Sequence, residues 1–508
     1  MIKNMTEYKN PIIPGFNPDP SICRAGEDYY LVTSSFEYFP GVPIYRSRDL
    51  TNWTQIGHCL TRRSQLDIID GYPNCLGIYA PTLRYYNGVF YMVTTNQALG
   101  RKRSGNFFVT ATDPEEPWSE PIFIDAPGID PDLFFDDDGK VYYTGADGGI
   151  FQFEIDIKTG KKLTEPKYIW SGTGYRDPEA PHLYKINGIY YLMIAEGGTS
   201  YGHMITIARS RDPSGPFEEC PRNPILTHRS TDNPVQAVGH GDLIETQDGE
   251  WRIVCLGVRP VSYPDRHHLG RETFITGVKW DEDGWPVVDP IKLSQCAGRE
   301  VIDDFDRNIL SYEWSYIRNP VKANYSLAKR KGYLTLMGSE QTLNSLSSPT
   351  FVGRRLQHFD CEISTLLEFN PKEDGEEAGI TTFLGGAFKD KSESGYHYEA
   401  AISRIDGKKC IIFRRHIGTL YKIENMVSIP DGAVTLVITT SPREFVFSYS
   451  TDSNPRQEIG RGEAHLLSTE AGGTFTGLFI GLYATGNGNI CNTPAYFDYF
   501  NYKPQGEK

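Results

Sequence analysis

Three acidic residues stand where short, turn-bounded strands would deliver them to one place: Asp19 in GFNPDPS, Asp130 in GIDPDLFF and Glu179 in RDPEAPHLYK. Carboxylates gathered in a concave site divide their work. One stays ionised and takes a proton, another is kept neutral and gives one, and a third adjusts both through its charge. Hydrolysis of a glycosidic bond requires such a set, with an acid and a base on opposite sides of the bond. A lone Asp before Pro usually does no more than cap a turn, so the reading depends on whether the chain repeats the setting.

The setting recurs five times, as Asp19-Pro20-Ser21-Ile22, Ala80-Pro81-Thr82-Leu83, Asp130-Pro131-Asp132-Leu133, Ala180-Pro181-His182-Leu183 and His240-Gly241-Asp242-Leu243. The starts lie about 50 to 60 residues apart. Each is followed by a turn, such as Asn87-Gly88 or Asn187-Gly188, and then by an aromatic and β-branched run such as Tyr190-Tyr191-Leu192-Met193. This is strand, hairpin, strand. Five such units without helices predict a five-bladed β-propeller around a central channel. Equivalent starts face the channel mouth, which puts Asp19 and Asp130 there from two blades, with Glu179 one residue before its own start. His240 occupies the fifth start, where it either holds a water or a cation near the axis or is a satisfied buried histidine.

After Trp285-Pro286 the repeat stops. Segments such as Gly332-Tyr333-Leu334-Thr335-Leu336 and Val434-Thr435-Leu436-Val437-Ile438 read as short strands without the Asp-Pro starts, and many of them in succession predict a β-sandwich. The expected division of this all-β chain is a propeller over 1–295 and a sandwich over 296–508, which agrees with two domains for 508 residues.

A formal charge of −14 argues against a nucleic-acid partner, which needs a basic face, and favours a neutral or weakly charged ligand. The N-terminus has no apolar signal core, and no run approaches the ~18 apolar residues of a membrane span; a cytoplasmic address is the expectation. Nine cysteines, scattered singly with no CxxC pair, read as buried reduced thiols. Asp136-Asp137-Asp138-Gly139 lacks the alternating ligands and distant Glu of a calcium loop and reads as a hairpin turn. No cofactor is required by these motifs; a structural Ca2+ is the one ion left open, and self-association is open as well. Residues 61–77 read as a polar loop at the channel mouth. Phe36 and Phe39 fit either a sugar-stacking floor or packing between blades.

The stretches GFNPDPS, SFEYFPGVPI, GIDPDLFF, RDPEAPHLYK, VGHGD and LGRETF, in this order, resemble glycoside hydrolase family 43. The remainder resembles the concanavalin-like sandwich of its β-xylosidase and α-L-arabinofuranosidase members. The resemblance implies an exo-acting, inverting hydrolase that releases β-D-xylose or α-L-arabinofuranose from small oligosaccharides. It implies Asp19 as general base, Asp130 as the pKa-tuning carboxylate and Glu179 as general acid. Arg271 is then a substrate contact, His240 the channel histidine near a water or cation, and Phe36 an aromatic of the sugar subsite. Tyr79 stands where many relatives carry Trp, and changes the pocket wall. Relatives also close the pocket with a loop from the sandwich. Alternatives are an arabinan- or fructoside-cleaving propeller hydrolase and a non-catalytic carbohydrate-binding propeller.

Overall fold

The computed structural model of the protein describes residues 8–68, 71–97, 104–294, 298–387 and 394–506. Five antiparallel sheets follow one another between Ser21 and Val288, each of four or five strands. Their innermost strands are Ser21–Ala25, Thr82–Tyr86, Ile129–Phe135, Glu179–Ile186 and Gln236–Glu245. Each touches the next, and the fifth returns to the first, so the ring is closed. Closure is fastened from the N-terminal side, where Ile13 bridges Thr273 and the Asn17 amide donates to the Arg271 carbonyl at 2.9 Å. The hairpins follow their turn residues: Tyr86 pairs with Val89 across Asn87-Gly88, and Ile186 with Ile189 across Asn187-Gly188. Both central residues have positive φ in each turn, the two-residue geometry that Asn-Gly favours.

The blades are joined at the axis by a polar cluster. Arg84 forms ion pairs with Asp132 and Asp242, both at 2.9 Å. Ser21 Oγ and Tyr184 Oη donate to Asp242 at 2.6 Å each, and Arg84 Nη2 contacts His182 Nδ1 at 2.9 Å. One or two residues from every blade therefore meet on a single guanidinium. Both carboxylates are held below their ordinary range because Arg84 and His182, together with the hydrogen bonds each carboxylate accepts, more than offset the effect of burial.

The sandwich stacks an eight-stranded sheet on a six-stranded one. Its strands alternate inward and outward residues, as in Cys361–Glu368, and the inward set forms one core with Leu336, Ile363, Ile380, Ile402 and Phe447. The other face of the six-stranded sheet is also apolar. Its Phe351, Phe383, Phe479 and Tyr483 form a common core with Phe16, Phe36 and Tyr38 of the propeller, and Tyr38 stacks on Phe479 with ring centroids 4.0 Å apart. Tyr38–Phe39 and Tyr316–Ile317 pair as a two-stranded ladder across the boundary. At Gly270 and Gly477 the two backbones nearly touch; a Cβ on Gly477 would lie 2.4 Å from the Leu269 carbonyl oxygen.

Residues 61–77 are irregular, but those described are mostly buried beneath the sandwich rather than lying open at the mouth. Arg318 donates to the Tyr72 carbonyl and the Asn74 side chain at 2.6 and 2.9 Å, and the Asn319 amide to the Ile68 carbonyl at 2.9 Å. Side-chain and backbone partners from the second domain satisfy polar groups that a buried loop would otherwise leave unpaired. Asp136–Gly139 is a hairpin turn, and Asp136 accepts from Lys185 and Tyr190 of the next blade at 2.7 Å each. The eight cysteines among the described residues are free and buried; Cys296 lies outside them. Among the described residues, no helix is long and apolar enough to cross a membrane.

Candidate active site

The repeat starts owe their inward aim to the backbone. Asp19, Asp130, Ala180 and His240 all adopt φ between 48° and 55°, and the pairing register shifts beside Asp130, Glu179 and His240. Left-handed non-glycine residues cost about 1–3 kcal/mol each and concentrate at functional sites. A bulge at the head of a strand turns a side chain out of the ladder and toward the channel. Ala80 shares the sequence position without the positive φ.

Asp19 is 4 % exposed. It accepts from Ser34 Oγ at 2.5 Å and Arg271 Nη1 at 2.6 Å, and His240 Nδ1 lies 3.7 Å from Oδ1. Burial favours the neutral acid, but Arg271, the neighbouring His240 and the Ser34 hydroxyl together outweigh it and hold the carboxyl below its usual range. Asp130 accepts the Ala180 amide at 3.1 Å. Burial and the negative Asp19 push it up to about 7. Glu179 retains 19 % of its side-chain exposure and is pushed well above the ordinary carboxylate range by burial, then by Asp130 and Asp19. An ionised carboxyl and a protonated one therefore stand in one site, separated by their surroundings alone.

Arg271 connects this site to the second domain. Its Nη2 donates to the Phe475 carbonyl at 3.2 Å, and the Phe475 amide donates to Cys75 Sγ at 3.4 Å. Phe36 is 3 % exposed and lies in the core shared by the two domains, with its ring 5.0 Å from Tyr79, 6.3 Å from Phe475 and 5.4 Å from the Arg271 guanidinium. It braces the wall of the site more than it faces the opening. Phe39 serves the ladder between domains. The Tyr79 hydroxyl is already committed, donating to the Cys75 carbonyl at 3.0 Å. His240 is 6 % exposed, and burial lowers it to about 4, so it stands neutral beside Asp19 at neutral pH. Among the described residues, no group of three or more His, Cys, Asp and Glu is arranged to hold a metal ion.

Two features of the site escaped the sequence reading. His203 Nε2 lies 3.9 Å from Glu179 Oε1, and its Nδ1 faces the Ala237 carbonyl at 3.3 Å. Burial lowers His203 to about 3, so its ring is neutral. With Nδ1 donating to the carbonyl, the bare Nε2 faces Glu179 and favours the protonated acid. The close approach depends on Gly239, where a Cβ would fall 2.3 Å from the His203 ring. No motif marked His203. The axial cluster did leave a signal, because the third position of every repeat is polar: Ser21, Thr82, Asp132, His182 and Asp242.

Residues 8–286 match the glycosyl hydrolases family 43, and residues 302–503 match the β-xylosidase C-terminal concanavalin A-like domain. A non-reducing end α-L-arabinofuranosidase of Bacteroides ovatus is 40 % identical, over 98 % of this chain and 94 % of that protein. A xylosidase/arabinosidase of Butyrivibrio fibrisolvens is 37 % identical, over 98 % and 99 % of the two chains. The solved structure of GH43B from a Bacteroides ovatus xyloglucan locus superposes with a TM-score of 0.92 at 39 % identity, covering 98 % of this chain and all of that one. Similarity that runs through both domains, over a propeller carrying this carboxylate site, makes the chain a glycosidase belonging to glycoside hydrolase family 43.

Proposed function

We propose that the protein removes single pentose units, β-D-xylose or α-L-arabinofuranose, from the non-reducing ends of short oligosaccharides. The reaction is a one-step inversion. Asp19, ionised, draws a proton from a water that attacks the anomeric carbon. Glu179, protonated, gives its proton to the leaving oxygen on the opposite face. Asp130 touches no proton in flight; where ionised, its charge adds to burial in keeping Glu179 an acid, and its bond to the Ala180 amide fixes the backbone beside that acid. Arg271 holds the base ionised and steadies it against the Phe475 loop.

The observation that carries this reading is the opposite displacement of two carboxyls in one site, Asp19 downward and Glu179 upward. A binding propeller has no use for such a split. The preference for pentosides is supported by the activities for which the arabinofuranosidase and xylosidase/arabinosidase relatives are named. Paired assays on aryl β-D-xyloside and aryl α-L-arabinofuranoside test the sugar. Proton NMR during turnover tests the stereochemistry, with the inverted anomer expected first. Retained product, or hydrolysis of neither pentoside, overturns the proposal.

A further inference from the structure

A second concave site lies on the sandwich, on the outer face of the six-stranded sheet and beyond the part of it that packs on the propeller. A cavity of about 470 Å3 opens there, and it shares no lining residue with the carboxylate cluster of the propeller. At its floor Arg414 forms ion pairs with Glu377 and, at 3.1 Å, with Glu399. These two carboxylate side chains are 1 % and 3 % exposed. Tyr483 Oη donates to Glu377 at 2.8 Å. Asn344 lies between two histidines, 2.8 Å from His397 Nε2 and 2.9 Å from His416 Nδ1. The His416 ring stacks on Tyr421 with centroids 5.2 Å apart and 12° between planes. Tyr421 itself is 71 % exposed.

Nothing in the architecture of the sheet calls for these charges. Neighbouring positions on the same face are Phe383, Ala401 and Ile412, and apolar side chains would fill the floor without the desolvation that a buried Arg with two carboxylates must overcome. Buried, mutually bonded polar groups beneath an open cavity with an aromatic at its rim are what a ligand site presents.

The chemistry of the floor selects the ligand. Asp374, Glu377, Glu399 and Asp406 against Arg404 and Arg414 leave the lining with more carboxylates than cations, an excess that His397, 3.0 Å from Glu399, does not cancel, and burial lowers His416 to about 3, so it stays neutral; an anion is therefore disfavoured. Among the described residues no group of metal-ligating side chains forms. Carboxylates accept from hydroxyls, an amide and a guanidinium donate to them, and a flat exposed ring covers an apolar sugar face. We infer that this cavity is an accessory binding site for a neutral pentose oligosaccharide, separate from the hydrolytic site; the choice of sugar rests on the proposed function.

The test uses the full-length Asp19→Asn protein, which lacks the proposed base and so does not turn over ligand, titrated calorimetrically with xylotetraose and with an arabino-oligosaccharide. Two binding events are expected with at least one of them. Adding Tyr421→Ala should weaken one event roughly tenfold and leave the other unchanged, because the tyrosine is exposed and contributes a stacking face. Adding His416→Ala should weaken the same event. A single binding event, no binding, or two events indifferent to Tyr421→Ala would overturn the inference. Hydrolysis of aryl pentosides by the unaltered protein separates the two readings. Normal hydrolysis with a single binding event removes the accessory site alone, whereas no hydrolysis of either pentoside removes the proposed function.

Discussion

Arg271 donates to Asp19 at 2.6 Å. The same guanidinium reaches the Phe475 carbonyl of the sandwich, so the ionisation of the proposed base depends on a contact between domains.

Arg271→Gln is expected to lower kcat about 10²-fold, the scale of a misplaced catalytic group, and to move the low-pH limb of the rate profile. Asp19 works ionised, and activity is lost as pH falls through its pKa. Arg271 holds that pKa down, so losing the charge raises it and carries the limb to higher pH. A profile that keeps its low-pH limb would assign Arg271 to substrate binding alone.

Asp130→Asn preserves an oxygen for the Ala180 amide and removes the charge that helps keep Glu179 protonated. Glu179 works protonated, and activity is lost as pH rises through its pKa. The high-pH limb should therefore shift to lower pH. A changed KM with both limbs in place would make Asp130 a binding residue.

The two principal carboxylates should be told apart by leaving group. Asp19→Ala is expected to be inactive on every substrate, because the water has no other base. Glu179→Ala should lose about 10² to 10⁴-fold on oligosaccharides, the scale of general acid catalysis, and far less on activated aryl glycosides, which depart with little protonation. Equal losses on both substrate types would contradict the assignment.

Arg84→Met leaves Asp132 and Asp242 facing one another at the axis without their cation. The expected cost is about 3–5 kcal/mol of stability, read as a lower midpoint in urea unfolding. A midpoint unchanged within error would mean that the blades are held by their apolar contacts alone.

Residues 1–300 expressed by themselves should be insoluble or nearly inactive. Phe16, Phe36 and Tyr38 would lose the apolar face that covers them, and Arg271 its second partner. A soluble fragment with full activity on short oligosaccharides would refute the coupling of the two domains.

The propeller was legible because its signals are local. Asn-Gly turns fix two-residue hairpins, alternating side chains mark the strands, and a period of about 50 to 60 residues repeats them. The carboxylates could be found for the same reason, since each sits at a fixed offset from a repeat start. The inward set of the sandwich strands is local in the same sense.

Other relationships were out of reach of sequence alone. Phe475 lies 204 positions from Arg271, and Arg318 lies 246 positions from Tyr72; nothing in either neighbourhood names the other. The sequence determined which carboxylates repeat and in what kind of strand. The tertiary structure decided which carboxyl is held ionised and which protonated, because a carboxyl's pKa is set by burial and by charges brought from distant parts of the chain. It also decided that Phe36 and residues 61–77 are covered by the second domain, since burial is a property of what packs on a surface, and that partner is encoded hundreds of residues away.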